Sequence, residues 1–247
     1  MRSRTYTLAI ALAAGAVAHI TGFAGAVAAP TRPAGVVVAR YAFDAGAGTV
    51  ADTSGRGHTL TVIAGHGGAV RAITHGTGRA LAFPAKCRVT ARKRCPHVVL
   101  QAPPAADLNP GTRPIAYGAS VRLARSQTTK GQNVLQKGYS ATSSQYKLQV
   151  DGRAGRPSCV LVDDRKPAIR LVRSSVSVAD GAWHAVECRR AGTTFTIVVD
   201  GVLRGVLAVP AALSVRNGGP LSVGGKGASA NNDQFQGALD NVWVRIG

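Results

Sequence analysis

The chain is predicted to fold as an all-β domain of antiparallel strands, a sandwich or a barrel. Three observations carry that expectation. From Val36 onward it consists of short β-branched runs separated by Gly, Pro, Asn and Asp. Turn signals recur about every ten residues, and no run keeps a helical period. Strands that follow one another without an intervening helix pair antiparallel rather than as βαβ units.

The N-terminus reads as a signal peptide over residues 1–28. Arg2 and Arg4 give a short basic start, Leu8 to Val17 an apolar stretch, and Ala26-Val27-Ala28 the small-x-small pattern of a cleavage site. The apolar run falls short of the ~20 residues a membrane span needs, so the expected product is secreted and has no membrane span. Residues 29–34 form a short tail, and 35–247 form one domain, because no linker or internal repeat divides them.

Strands are expected over Val36–Phe43, Thr59–Ile63, Arg79–Phe83, Val98–Gln101, Ile115–Leu123, Asn133–Gln136 and Tyr146–Val150. They continue over Cys159–Val162, Ile169–Val172, His184–Arg190, Thr194–Val199, Val202–Val206, Leu221–Val223 and Ala238–Ile246. In Tyr146-Lys147-Leu148-Gln149-Val150 the apolar residues share one face and the polar residues the other. Between Trp183 and Arg190, Val186 and Cys188 lie on one side and Glu187 and Arg189 on the opposite one. Asp200-Gly201 is the strongest hairpin signal, because a primed turn needs positive φ at both central residues.

Cys87, Cys95, Cys159 and Cys188 are an even set in an exported chain, which favours two disulfides over metal ligation. Four cysteines allow three pairings. The reading adopted is Cys87–Cys95, closing a short loop, with Cys159–Cys188 linking two strand-like segments. The net charge is +19, a field that attracts polyanions, and 23 of the 30 cations are Arg. A chain so rich in Ala, Gly and Arg could owe that bias to base composition alone.

Taken in order, Tyr41-Ala-Phe43-Asp44, Asp52-Thr-Ser54-Gly55-Arg56-Gly57-His58, Arg79-Ala-Leu81-Ala-Phe83, Ala182-Trp183-His184-Ala-Val186, Val199-Asp200-Gly201, Leu221-Ser-Val223-Gly224 and Phe235-Gln-Gly237-Ala-Leu239-Asp240-Asn-Val242 resemble the strand and turn motifs of a laminin-G-like jelly roll. That fold belongs to the concanavalin A-like lectin and glucanase superfamily, and the matches run in register over most of the chain. The resemblance implies an antiparallel two-sheet β-sandwich. It leaves function open, since the architecture hosts lectins, adhesion modules and glycosidases alike. It also implies candidate calcium ligands, Asp52 and Asp240, whose alternative roles are to cap a turn and to fix a strand end. Trp183 is expected to anchor the core, His184 to be a hydrogen-bonded strand residue and Asp200 to form a turn.

The resemblance also says where catalysis would show. Glycosidases of the superfamily carry two catalytic carboxylates on one strand, and glycoside cleavage needs such a pair. Glu187 is the only glutamate in the chain, and its segment holds no partner. Asp163 and Asp164 are neighbours that a strand would point to opposite faces, and they are expected in a turn. No catalytic residue is therefore assigned, and the chain is read as a non-catalytic binding module for carbohydrate or an anionic polymer, requiring no cofactor and with Ca²⁺ as the one candidate ion. The alternatives are a glycoside-active enzyme and a protein-binding adhesion module. Two loops are candidate contacts: the basic loop with Arg88, Arg92, Lys93 and Arg94, and the polar loop with Asn231, Asn232 and Asp233. Nucleic acid is disfavoured, because aromatics make up 5% of the chain and none lies among the basic loop's charges to stack a base.

Overall fold

The structure, a computed structural model, describes residues 31–88, 90, 94–141 and 143–247. The signal peptide expected over 1–28 lies outside them, as do Arg92 and Lys93. Fifteen strands form among the described residues. They are β1 (Val36–Tyr41), β2 (Thr61–Gly65), β3 (Arg71–His75), β4 (Gly78–Ala82), β5 (His97–Ala102), β6 (Ile115–Arg122), β7 (Gly131–Gly138) and β8 (Gln145–Asp151). Then follow β9 (Arg156–Val162), β10 (Ile169–Arg173), β11 (Trp183–Ala191), β12 (Thr194–Val199), β13 (Val202–Ala208), β14 (Leu221–Val223) and β15 (Ala238–Ile246). The only helices among the described residues are two single 3-10 turns, Ala106–Leu108 and Arg125–Gln127.

All pairings are antiparallel and fall into two sheets. One runs β13-β12-β11-β6-β15-β4-β3, with β1 also on β15; the other runs β10-β9-β8-β7-β14-β5-β2. Strand β15 is shared along its length: its first two residues pair with β4, and Val242 to Ile246 pair with β1. The fold is the two-sheet sandwich that the motif order implies.

The core lies between the sheets, and strand alternation decides which residues enter it. On β8, Tyr146, Leu148 and Val150 are buried in it, while Lys147, Gln149 and Asp151 face outward. Tyr117 on β6 meets Tyr146 across the sandwich with ring centroids 5.2 Å apart. The Tyr117 hydroxyl donates to the Val160 carbonyl at 3.2 Å, so the ring is buried without losing its polar partner. Phe195 and Phe235 are wholly buried, and burial of such a ring stabilises by roughly 1.5–3 kcal/mol. One disulfide, Cys159–Cys188, ties β9 to β11 and so joins the two sheets. The other, Cys87–Cys95, closes the loop between β4 and β5.

Two tight positions show why particular residues are needed. Asp200 and Gly201 have φ of 52° and 76°, so the β12–β13 turn has the left-handed backbone that their sequence signals. Gly224, with φ 78°, lies so close to Phe83 that a Cβ there would enter the ring. That contact seats the end of β14 on the β4 end of the core.

Three expectations need correction. β3 is absent from the sequence reading: it is an edge strand whose Arg-Ala-Ile-Thr-His run leaves no apolar face to read. The strand expected at Thr59 begins at Thr61 instead, because Leu60 makes an isolated bridge to Val50. Trp183 is not a core anchor. Val186, Cys188 and Arg190 turn inward, so Trp183 falls on the outer face of its sheet and is only half-buried. Its ring stacks on His75 at 3.9 Å, and the Arg122 guanidinium sits over it at 5.2 Å.

Candidate functional site

One end of the sandwich gathers three connections from distant parts of the sequence: the disulfide-closed β4–β5 loop, the turn leading into β7, and the loop between β14 and β15. Between them lies a cavity of about 370 Å³ whose lining includes Cys87, Cys95, Lys130, Asn232, Asp233 and Gln236. Asn231 lines it as well. The two candidate loops therefore meet at one place, though more than a hundred residues separate them.

The β14–β15 loop is pinned from several sides. The Lys226 N–H donates to the Asn232 carbonyl at 2.7 Å, and the Lys226 ammonium pairs with Asp233 at 3.1 Å. The Asn133 N–H of β7 donates to the Asp233 carbonyl at 2.8 Å. Gln234 is the clamp: its Oε1 accepts from the Val98 N–H at 2.7 Å, and its Nε2 donates to the Gly224 and Phe235 carbonyls. His97 is buried beneath, with Nε2 3.1 Å from the Ala228 carbonyl. A loop so tied presents a fixed surface, which reduces the ordering cost of binding.

Three buried amide oxygens in this region have no hydrogen-bond partner among the described residues: Asn133 Oδ1, Asn232 Oδ1 and Gln236 Oε1. Asn232 is 1% exposed and Gln236 9%, and both line the cavity. An unpaired buried acceptor costs roughly 1–3 kcal/mol, so the fold carries a local polar cost at the edge of this cavity. Of the cavity's lining residues, Asp233 alone carries a carboxylate.

The remaining candidates divide. Arg88 and Arg94 are exposed and adjoin the half-cystines in sequence. Arg92 and Lys93, the tip of the basic loop, lie outside the described residues. Asp52 and Asp240 sit elsewhere, and each is engaged locally. Asp52 Oδ1 accepts from the Arg40 and Ser54 N–H groups, both at 2.9 Å, and Oδ2 from the Ser54 hydroxyl at 2.8 Å and the His58 N–H at 3.1 Å. Burial pushes this carboxyl up, but the four hydrogen bonds outweigh it and hold the group below the usual carboxylate range. Four donors fill the lone pairs of one carboxylate, leaving Asp52 a poor fit for calcium, which takes six to eight oxygens. Asp240 takes a 2.5 Å bond from His75 Nδ1 and two from Asn241. Among the described residues no group of three or more His, Cys, Asp or Glu is placed to hold a metal ion.

The acidic residues weighed for catalysis are also tied down. Glu187 faces outward on β11 and pairs with Arg189 at 2.7 Å and with Arg32. Asp163 and Asp164 do lie in a turn, but they converge on shared partners. Arg165 Nε is 3.7 and 3.6 Å from the two carboxylates, and Ser214 donates to Asp164 through its hydroxyl. The strand rule that separated them does not apply where the backbone bends.

Sequence reasoning missed Lys130, Gln234 and Gln236. Gln234 directly follows the polar run already singled out and Gln236 falls inside the closing motif, a signal that was available. Lys130 carried none, since its role depends on β7 abutting the β14–β15 loop.

A profile described as the Concanavalin A-like lectin/glucanases superfamily, of the laminin-G type, matches residues 98–245, more than half of the chain. The chain belongs to this superfamily. No curated protein sequence matches it. Among solved structures, this superfamily member is similar to domain 4 of AbnA, a GH43 extracellular arabinanase from Geobacillus stearothermophilus, in complex with arabinotriose. The TM-score is 0.65 at 13% identity, covering 87% of this chain and 94% of that one. It is also similar to the binding domain of Paraclostridial Mosquitocidal Protein 1, with TM-score 0.64 and 12% identity over 85% of this chain and 48% of that one. The binding domain of Botulinum Neurotoxin DC in complex with SialylT gives a TM-score of 0.59 at 9% identity, over 85% and 47%. The chain spans about half the length of these two toxin domains. At such identities the likeness is one of fold.

Proposed function

We propose that this superfamily member is a secreted, non-catalytic carbohydrate-binding module whose ligand occupies the cavity at the loop end of the sandwich. The observation that carries the reading is the convergence of polar side chains, Lys130, Asn231, Asp233 and Gln236, on one cavity between rigid loops. Sugar hydroxyls both donate to and accept from such groups, and rigid loops on a sheet scaffold are the usual place for such contacts. The structural neighbour bound to arabinotriose supports the reading, as does the neighbour in complex with SialylT. The two disulfides suit an extracellular location.

The non-catalytic part of the proposal rests on the acids. A glycosidase needs two carboxyl groups about 5 Å apart or somewhat wider. Asp233, the cavity's carboxylate, is paired with Lys226, and Glu187 is held by two arginines on the other sheet's outer face.

Depletion assays against a panel of soluble and insoluble polysaccharides test the reading, with wild type and Gln236→Ala compared. Retention on at least one polysaccharide, weakened by Gln236→Ala and without release of reducing sugar, is expected. Failure to bind any member of the panel at low salt refutes the module, and steady release of reducing ends refutes its non-catalytic character.

A further inference from the structure

Beside the cavity, over the outer face of the seven-stranded sheet, lies a second cleft of about 440 Å³. Its lining includes Lys130, Arg153, Arg156 and Arg173, with Gln149 and Asp151. Lys130 borders both hollows, so the two are neighbours on the surface. The β8–β9 turn that carries Arg153 is fixed to this lysine, because the Gly152 N–H donates to the Lys130 carbonyl at 3.0 Å.

The charge in this cleft is unbalanced. Four cations surround a single carboxylate, and that carboxylate is already committed. Asp151 accepts from the Ser158 hydroxyl, and Arg173 approaches it only to 3.9 Å. Lys130, Arg153 and Arg156 are exposed and make no ion pair among the described residues. Like charges gathered without counter-charges work against folding. An Arg-rich composition would scatter cations over the whole surface; here three unpaired ones adjoin the polar cavity and share its border residue.

We infer that this cleft is an anion subsite, and that the ligand is an acidic polysaccharide with carboxylate or sulfate groups along its chain. Uncharged portions of the polymer would lie in the cavity and an anionic group against Arg153, Arg156 and Lys130. Guanidinium forks match carboxylate and sulfate geometry, and exposed arginines raise the association rate for such a chain. This inference rests on the carbohydrate-binding reading above.

The test uses the oxidised protein and four probes: a neutral arabinan, polygalacturonate, dextran sulfate and a short DNA duplex. Affinity is measured over a salt series for wild type, Arg153→Ala/Arg156→Ala and a charge-matched control on the opposite sheet away from both hollows, Arg40→Ala/Arg79→Ala. Tighter binding of an acidic polysaccharide than of arabinan is expected. The cleft variant should lose about fivefold to tenfold of that affinity, against less than about twofold for the control. Polygalacturonate and dextran sulfate distinguish carboxylate from sulfate. Equal losses in the two double variants overturn the subsite, as does DNA bound as tightly as either acidic polysaccharide. Binding of arabinan alone, independent of salt, overturns it too while leaving the module intact. Binding of none of the polysaccharides defeats both readings together.

Discussion

Replacing Cys159 and Cys188 together with alanine should cost most of the stability a single disulfide can provide. The bond links residues 29 apart in sequence and joins the two sheets through the core, where both half-cystines are fully buried. Loop-closure entropy for that separation gives about 3.6 kcal/mol at 25 °C. The same relation for Cys87–Cys95, with a separation of 8, gives about 2.5 kcal/mol. The inter-sheet bond should therefore outrank the loop bond by about 1 kcal/mol, before the lost core contacts of two sulfur atoms are added. For a domain of this size the larger loss lowers Tm by about 7–14 °C. Urea unfolding followed by tryptophan fluorescence, on wild type, C159A/C188A and C87A/C95A, measures both numbers. If C159A/C188A lost less than about 1 kcal/mol, or less than C87A/C95A, the sheets would be held by packing alone and the argument would fail.

The protonated His184 ring donates through Nδ1 to Asp200 at 2.7 Å and through Nε2 to Asp180 at 3.0 Å; burial pushes its pKa down, but the two carboxylates outweigh burial and raise it. Its contribution is therefore complete below the ordinary value of about 6.5 and lost as pH rises through the raised one, so the stability gap between wild type and H184Q should shrink from pH 5 to pH 9. A gap that widened with pH would reverse the sign of the interaction. Trp183→Ala should cost about 1 kcal/mol, against the 3–5 kcal/mol expected for Phe235→Ala in the core; a loss in urea melts equal to that of Phe235→Ala would return the indole to the interior. Asp52→Ala should lose about 2 kcal/mol at neutral pH by freeing four donors, a contribution present above about pH 3.9 and lost as pH falls through the lowered pKa of Asp52. Calcium or chelator should leave Tm unmoved, and a calcium-dependent rise would show carboxylate oxygens free for a cation.

Much of the sandwich was legible because alternation is a local signal. The run from Tyr146 to Val150 declares its two faces within five residues, and Asp200-Gly201 declares a turn within two. Edge strand β3 escaped because a strand without an apolar face carries no such alternation. Trp183 was misjudged by weighing residue type over position, although the parity set by Val186 and Cys188 already put it on the outer side. The candidate site was legible only in pieces. Nothing within Lys86 to Pro96 or within Lys226 to Asp233 says that the two loops adjoin; that follows from β5 and β7 flanking β14. Lys130 illustrates the limit, since its significance comes entirely from what the fold places beside it.

The pairing of β1 with β15 has a consequence for how the domain can be attached to anything else. Val36 lies opposite Ile246, so the two ends of the domain emerge side by side. Ala238, at the other end of β15, pairs with Arg122 close to Gln236 and the cavity. Eight residue steps along that strand put about 25 Å between the handle and the head. A tether, a neighbouring domain or an immobilising tag fixed at either terminus would therefore hold the molecule by its far end, leaving the loops around the cavity unobstructed.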